Sequence, residues 1–395
     1  MTSRRTWTHE DIKAAADGNV EHYATVSRRD LMKGGLAAAA AASGAFTMPF
    51  IPGAAQAAMA GDVITLTWEG FDNLESTKEW ASKNGVKVTN SSMATQDDVQ
   101  TKLVGGSPVR LDVTSYNQAY NKFYADELKI LNALDTAKLP NYNQTDIFAP
   151  FYQKERWFWN GTQWGVPFCW GLVALVYNPK MMAKPTSYKD LLKPELKGKI
   201  VISDDNTGTW PTFAKVAGVD SYPNVSKDEL KKIFENAKLY RAQAKSFAAS
   251  NGDIVSLMIS GEIAACLCCG TDSVASAKRQ GGSADYAIPS EGAFMWSDAL
   301  CIPKSTGNPD GALAFINEAM GATAQAAQAK KTICGTPNSK AVALMDADTK
   351  GLFDYANLNE VLKNTPLLGI PPRESKEFAT YDEWVQAYEG LKSGI

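Results

Sequence analysis

Val63-Ile64-Thr65-Leu66-Thr67-Trp68 opens the stretch that decides the fold. Glu75 to Asn84 with Gly85 follows it, then Val86-Lys87-Val88-Thr89, Gln96 to Val104, and Leu111-Asp112-Val113-Thr114. The first, third and fifth segments are short and rich in β-branched residues, which is the pattern of strands. Glu75 to Asn84 reads as a helix, with Gly85 placed where a left-handed C-cap is wanted. Gln96 to Val104 reads as a second helix, and Gly105-Gly106-Ser107-Pro108 as the turn after it. Strand, helix, strand, helix, strand in this order implies a parallel sheet with right-handed crossovers.

The same alternation resumes downstream. Trp164 to Phe168 and Leu172 to Tyr177 read as a pair of apolar strands, and Lys199 to Ser203 as another, ending in Asp204-Asp205. Ser226 to Tyr240 is an amphipathic helix with Ser226 as its N-cap. Asn251 to Ile259 is a helix ending before Gly261. Ala264 to Cys269 is an uncharged buried strand, and Asp285 to Pro289 and Asp298 to Ile302 are short strands around a loop holding Phe294, Met295 and Trp296. Helices dominate from there on. The expected fold is α/β: two lobes, each a mainly parallel sheet flanked by helices, with a ligand cleft between them. The expected division is 58–171 plus 297–340 for the first lobe and 172–296 plus 341–395 for the second.

Upstream, Ser27-Arg28-Arg29-Asp30-Leu31-Met32-Lys33 precedes an uncharged run from Gly34 to Met48, nearly half alanine, and a small-residue site at Ala55-Gln56-Ala57. Basic region, apolar region and cleavage site make a secretory leader. The arginine pair points to twin-arginine export and a periplasmic protein, with 1–57 as the signal peptide. The apolar run is short for a membrane span of about 20 residues.

Both histidines of the chain, His9 and His22, fall in that leader. The remainder therefore has no Ser-His or Cys-His nucleophile and no histidine metal site. Removing the leader leaves 34 basic and 38 acidic residues, and no basic stripe of the kind that grips nucleic acid. The six cysteines, Cys169, Cys266, Cys268, Cys269, Cys301 and Cys334, are not spaced as a small disulfide scaffold, and buried thiols are the expectation. On a regular strand Cys266 and Cys268 share a face and Cys269 points away, so the run offers no closed zinc bite.

In open parallel sheets ligands bind beyond the carboxyl ends of the strands. The residues there are aromatic and acidic: Trp68, Phe71, Tyr116, Gln118, Tyr120, Asp205, Trp296 and Asp298. Aromatic faces attract cations at roughly 0.5–2 kcal/mol per contact, and a carboxylate adds a charge-assisted hydrogen bond. Together they suit an alkylammonium group. Core packing of each tryptophan, and helix capping by Asp204 or Asp205, by Asp272 as well, are the structural alternatives. Other functions remain open at this stage: an exported glycoside hydrolase using Asp205 and Asp298, or a ferric-iron binder using Tyr116 and Tyr120.

Several ordered segments carry a family likeness: Leu66 to Phe71, Leu111-Asp112-Val113, Trp164 to Pro167 with Trp170-Gly171, Tyr188 to Gly198, Ser203-Asp204-Asp205, Gly261 to Ala264, Glu291 to Leu300 and Gly335-Thr336-Pro337-Asn338. Through them the chain resembles the spermidine/putrescine-binding proteins of bacterial ABC importers, within the extracellular solute-binding class. The resemblance implies a type II periplasmic-binding-protein fold, a monomer, no cofactor, no metal and no catalysis. It implies an amine ligand and an ABC permease in the inner membrane as partners. It carries Trp68 and Phe71 onto the family's aromatic pair, the Ser115 to Tyr120 loop onto a Ser/Tyr loop within one residue of offset, and Asp205 onto an amine-binding aspartate. Trp296 and Asp298 match the Trp-x-Asp that grips a terminal ammonium. Three positions depart from the pattern: Gly208 for a glutamate, Cys268 for a tryptophan and Cys334 for a tyrosine. A polyamine, or an ω-amino compound such as 4-aminobutyrate, is the expected ligand.

Overall fold

The computed structural model describes residues 61–93, 96–104 and 110–394. The leader lies outside the described residues. The strands are β1 (Val63–Trp68), β2 (Val88–Met93), β3 (Val113–Asn117), β4 (Leu131–Asn132), β5 (Phe158–Trp159), β6 (Thr162–Gln163), β7 (Val166–Tyr177), β8 (Ile200–Ser203), β9 (Ser246–Ala248), β10 (Ala265–Gly270), β11 (Asp285–Ala287) and β12 (Phe294–Pro303). The principal sheet runs β2-β1-β3-β12-β7-β10-β8-β9. Its two ends are parallel, β2-β1-β3 on one side and β10-β8-β9 on the other. Its centre is antiparallel: β12 pairs with β3 and β7, and β7 with β10.

The opening of the chain forms strand, helix, strand, helix, strand as expected. The first helix, Lys78–Asn84, ends on Gly85, whose φ of 64° is the left-handed cap its lack of a Cβ permits. β2 and β3 are displaced from their expected positions, starting at Val88 and Val113. The expected strand pair 164–168 and 172–177 is one continuous strand, β7, with all twelve residues buried. A strand covered on both faces carries no polar alternation, so Gly171 in its middle read as a break. The expected loop around Trp296 is part of β12, ten residues long.

The helix Lys227–Gln243 begins at Ser226, which forms a reciprocal capping box with Glu229. The helix Asn206–Val216 begins at Asp205.

Apolar side chains sort into two principal bodies. One gathers residues from β1, β3, the first half of β7 and the second half of β12. The other gathers Val173, Leu175 and Tyr177 of β7 with residues of β8, of β10 and of the last helix, Tyr381–Ser393. β7 and β12 run through both bodies, and Trp296 packs against each of them. Of the 341–395 stretch, Phe353 and Leu358 pack with the first body, and Leu368, Trp384 and Tyr388 with the second. A third strand-like connection lies alongside: Leu368 N–H donates to Met295 O at 2.8 Å.

Candidate functional site

The site is built where β12 crosses between the two bodies. Trp296 and Asp298 alternate with Ser297 along this strand and therefore share one face. Ser297 is fixed in place: its N–H donates to Gln118 Oε1 at 2.8 Å and its hydroxyl to Cys169 O at 2.9 Å. The register against β7 breaks between Asp298 and Ala299. A break of this kind re-aims the side chain beside it.

Asp298 is 3% exposed, and among the described residues no hydrogen bond or ion pair reaches its carboxylate. Burial alone pushes its pKa up to about 7. A carboxylate removed from water without a counter-charge is a costly arrangement, and a cation from outside would relieve it.

Trp296 is half-buried, two residues before Asp298 on the same face of β12. Its indole lies flat on Gly171 of β7, where an added Cβ would approach ring atoms to 2.7 Å. Glycine at 171 is what lets the ring sit down on the strand. Trp170 uses Gly335 in the same way on the other face, at 2.2 Å for an added Cβ. Phe71 meets Trp296 edge to face with ring centroids 6.2 Å apart, and also meets Phe168 at 6.5 Å. Phe71 is placed by a tight turn after β1, closed by its N–H to Trp68 O at 3.0 Å, with Gly70 at φ 84°. Trp68 is half-buried at the start of that turn.

The tyrosines sit differently. Pairing across β3 and β12 puts Asp298 opposite Asn117, and Ala299 opposite Tyr116. Directly paired residues share a face, so Asn117 lies on the Asp298 side and Tyr116 on the far side. Tyr116 donates to Asn121 Oδ1 at 2.6 Å and meets Tyr124 edge to face. Tyr120 is buried with its hydroxyl 3.1 Å from that of Tyr381. Burial pushes both phenols well above their ordinary range, which opposes the tyrosinate an iron site requires. Gln118 is buried and structural in its contacts, bridging Ser297 to Leu368 O at 3.3 Å.

At the other end of the crossing, Asp204 and Asp205 divide their work. Asp204 is tied to the last helix, 2.9 Å from Lys392 Nζ. Asp205 caps the helix Asn206–Val216, accepting from Thr207 N–H at 3.0 Å and Gly208 N–H at 3.1 Å. Asp205 is open to solvent, yet desolvation by the protein around it raises its pKa, against the lowering by those two amides. A Cβ added at Gly208 would lie 2.8 Å from Asp205 Oδ2 and 3.4 Å from Cys268 Sγ. Gly208 and Cys268, two of the positions expected to depart from the family pattern, are thus neighbours, and they are small together.

Asp272 belongs beside this set. It is the first residue of the helix Asp272–Arg279, and the Thr271 side chain at the cap position does not cap that helix. Asn251 donates to its carboxylate at 3.2 Å, and burial pushes its pKa up to about 6. Burial raises the Cys334 thiol and Asp272 and Asp298 both add to it, so Cys334 lies within electrostatic reach of two carboxylates from different parts of the chain. Asp272 and Asn117, which the structure places beside the candidate residues, are not among those read from the sequence. Their only signal was position, at the ends of strands.

All six cysteines are buried and free. Cys266 and Cys268 do not share a face. Cys266 and Cys269 pack in one cluster, and Cys268 in the second body on the opposite side. The register of β10 against β7 shifts between Cys266 and Cys269, and the extra residue reverses the expected alternation. Among the described residues no group of three His, Cys, Asp or Glu side chains could hold a metal ion, and no helix is long and apolar enough to cross a membrane.

The family model for bacterial extracellular solute-binding protein matches residues 75–354. The spermidine/putrescine-binding periplasmic protein of Escherichia coli (strain K12) is 25% identical over 337 residues, covering 80% of this chain and 87% of that protein. Among solved structures, the spermidine/putrescine ABC transporter substrate-binding protein of Streptococcus pneumoniae superposes with a TM-score of 0.69 at 20% identity, covering 85% of this chain and 98% of that one. A GABA receptor superposes with a TM-score of 0.63 at 17% identity, covering 84% and 98%. These likenesses show the fold to be that of the type II periplasmic binding proteins.

Proposed function

The chain belongs to the bacterial extracellular solute-binding protein family, and on that premise we propose that it captures an amine ligand for an ABC importer. The single observation that carries this reading is Asp298: buried, without a partner, and on the same strand face as Trp296. An ammonium placed there gains a counter-charge and an aromatic face at once. Trp296, Phe71 and Trp68 supply the aromatic wall, and Asn117 and Asp272 line the approach. Asp205 stands at the far end, and Gln118 braces β12 from behind, with Tyr116 and Tyr120 supporting it.

The work is capture, not catalysis. Two lobes, 58–171 with 297–340 and 172–296 with 341–395, the second giving up Phe353 and Leu358 to the first, close on the ligand about β7, β12 and the stretch near Leu368. The closed form gains population because only there does the ligand touch both lobes. It then docks on a membrane permease. The protein is exported through the twin-arginine route directed by Ser27 to Lys33, works as a periplasmic monomer, and loses residues 1–57. The relatives named for spermidine and putrescine, and the GABA receptor, bracket the ligand class: a polyamine or an ω-amino compound.

A thermal-shift panel of putrescine, spermidine, 4-aminobutyrate, glucose and Fe(III) tests this. A ligand at a hundredfold excess over its Kd adds about 2.7 kcal/mol to stability. One of the three amines should raise the melting temperature, with glucose and Fe(III) inert. A shift from the sugar or iron alone would overturn the reading.

A further inference from the structure

The break in β10 brings two thiols together. Cys266 faces Val176 of β7 and Cys269 faces Ala174. Three steps along β10 are thus matched by two along β7, which is a bulge of one residue. Two consequences follow from strand geometry. An even span on the partner returns Cys269 to the face of Cys266. The span itself is about 6.6 Å, at roughly 3.3 Å per residue, and this falls at the upper end of the 4.4–6.8 Å or so that Cα atoms keep in a disulfide.

The side chains agree with the backbone. Cys266 and Cys269 pack in the same cluster, which also holds Ile254, Val255 and Val274, and Cys266 is near enough to raise the pKa of the Cys269 thiol. Cys268, adjacent in sequence, packs in the opposite core near Thr212 Oγ1, at 3.6 Å. The bulge therefore selects one pair from three cysteines.

We propose that Cys266 and Cys269 are a redox-active dithiol that closes to a disulfide in the folded protein. A small-molecule disulfide serves as oxidant. One thiol loses its proton and attacks a sulfur of the oxidant, releasing one half of it as a thiol. The second thiol loses its proton and attacks the mixed disulfide, releasing the other half. The protein loses two protons and two electrons; the oxidant gains them. The Cys269 thiol now reaches Ser273 Oγ at 3.2 Å and Asn251 Oδ1 at 4.0 Å. Asn251 holds Asp272. Closing the pair removes that thiol donor from the strand end carrying Asp272, so the redox state bears on the rim of the cleft. The dithiol itself stands independently of what the cleft binds.

The test is equilibrium incubation of the native chain in a series of oxidised-to-reduced glutathione ratios, followed by alkylation in denaturant, trypsin and mass spectrometry. Both sulfurs are buried, so incubation must be long enough for transient opening. The expected result is loss of two hydrogens, located in the peptide 246–278, with Cys268 the only alkylated cysteine in it. Cys268→Ser should close as the wild type does, and Cys269→Ser should not. No closure at any ratio would overturn the proposal. So would a link through Cys268, Cys169 or Cys334. Measurements on the wild-type chain decide the matter even if a variant folds poorly.

Discussion

The two ends of the crossing region hold carboxylates of opposite character. Asp298 has lost water and gained nothing in return, and its pKa is pushed up to about 7 by burial alone. Asp205 also feels desolvation, but two amides at the start of a helix already occupy its oxygens. The first is a buried carboxylate without a counter-charge; the second is a helix cap. Around Asp298 the wall is aromatic, Trp296 with Phe71. Around Asp205 it is small, Gly208 with Cys268. A ligand with one strongly held ammonium, and a second end held by weaker or different contacts, fits this asymmetry better than a symmetric diamine does.

The largest effect should come from neutralising Asp298. Asp298→Asn takes away the counter-charge of a buried ammonium, and charge-assisted hydrogen bonds are worth about 1.5–3 kcal/mol. Calorimetry should show amine affinity falling at least tenfold. An unchanged Kd would remove Asp298 from the site and equalise the two ends.

The same asymmetry was only partly legible in the sequence. Trp-x-Asp at 296–298 could be read because its spacing is local. The strand-helix alternation that opens the chain could be read because it is carried by short, uninterrupted segments. The bulges could not. Between Cys266 and Cys269 one residue is inserted relative to β7, and beside Asp298 one residue of β7 is inserted relative to β12, and no local pattern of polarity records either. Tyr116 shows the cost of this: its aromatic identity at a strand end suggested the cleft, but pairing with Ala299 turns it to the far face and gives that place to Asn117. Asp272 was hidden for another reason. A carboxylate at the start of a helix is what capping produces, so its sequence position argued for the structural role.

A pH series sharpens the comparison. In the empty protein Asp298 is half protonated near pH 7, whereas an alkylammonium with a pKa near 10 stays charged. Binding must then release a proton below pH 7. Amine affinity should fall about tenfold per unit below that point and level off above it. The sign for stability runs the other way. The folded pKa lies above the unfolded value of about 3.9, so the empty protein loses stability as pH rises from about 4 to about 7. Saturating ligand should remove that loss. Asp272, with a pKa of about 6, titrates within the same window, so Asp298→Asn should retain a shallower pH dependence rather than none.

The smallest effect should come from Asp205→Asn. Asparagine caps helices about as well as aspartate, and its amide oxygen can take the place of Oδ1 or Oδ2 before Thr207 N–H or Gly208 N–H. Unfolding should shift by only a few tenths of a kcal/mol. Affinity separates the possible ligands. A diamine that places its second ammonium on Asp205 loses a charge contact and should weaken by an amount approaching that of Asp298→Asn. An ω-amino acid, whose far end is a carboxylate, is relieved of a like charge and should bind as well or better. Measuring putrescine and 4-aminobutyrate against both variants therefore converts the inequality of the two aspartates into the identity of the ligand's second end. Equal losses for both amines at both positions would mean that the cleft does not distinguish its ends by charge.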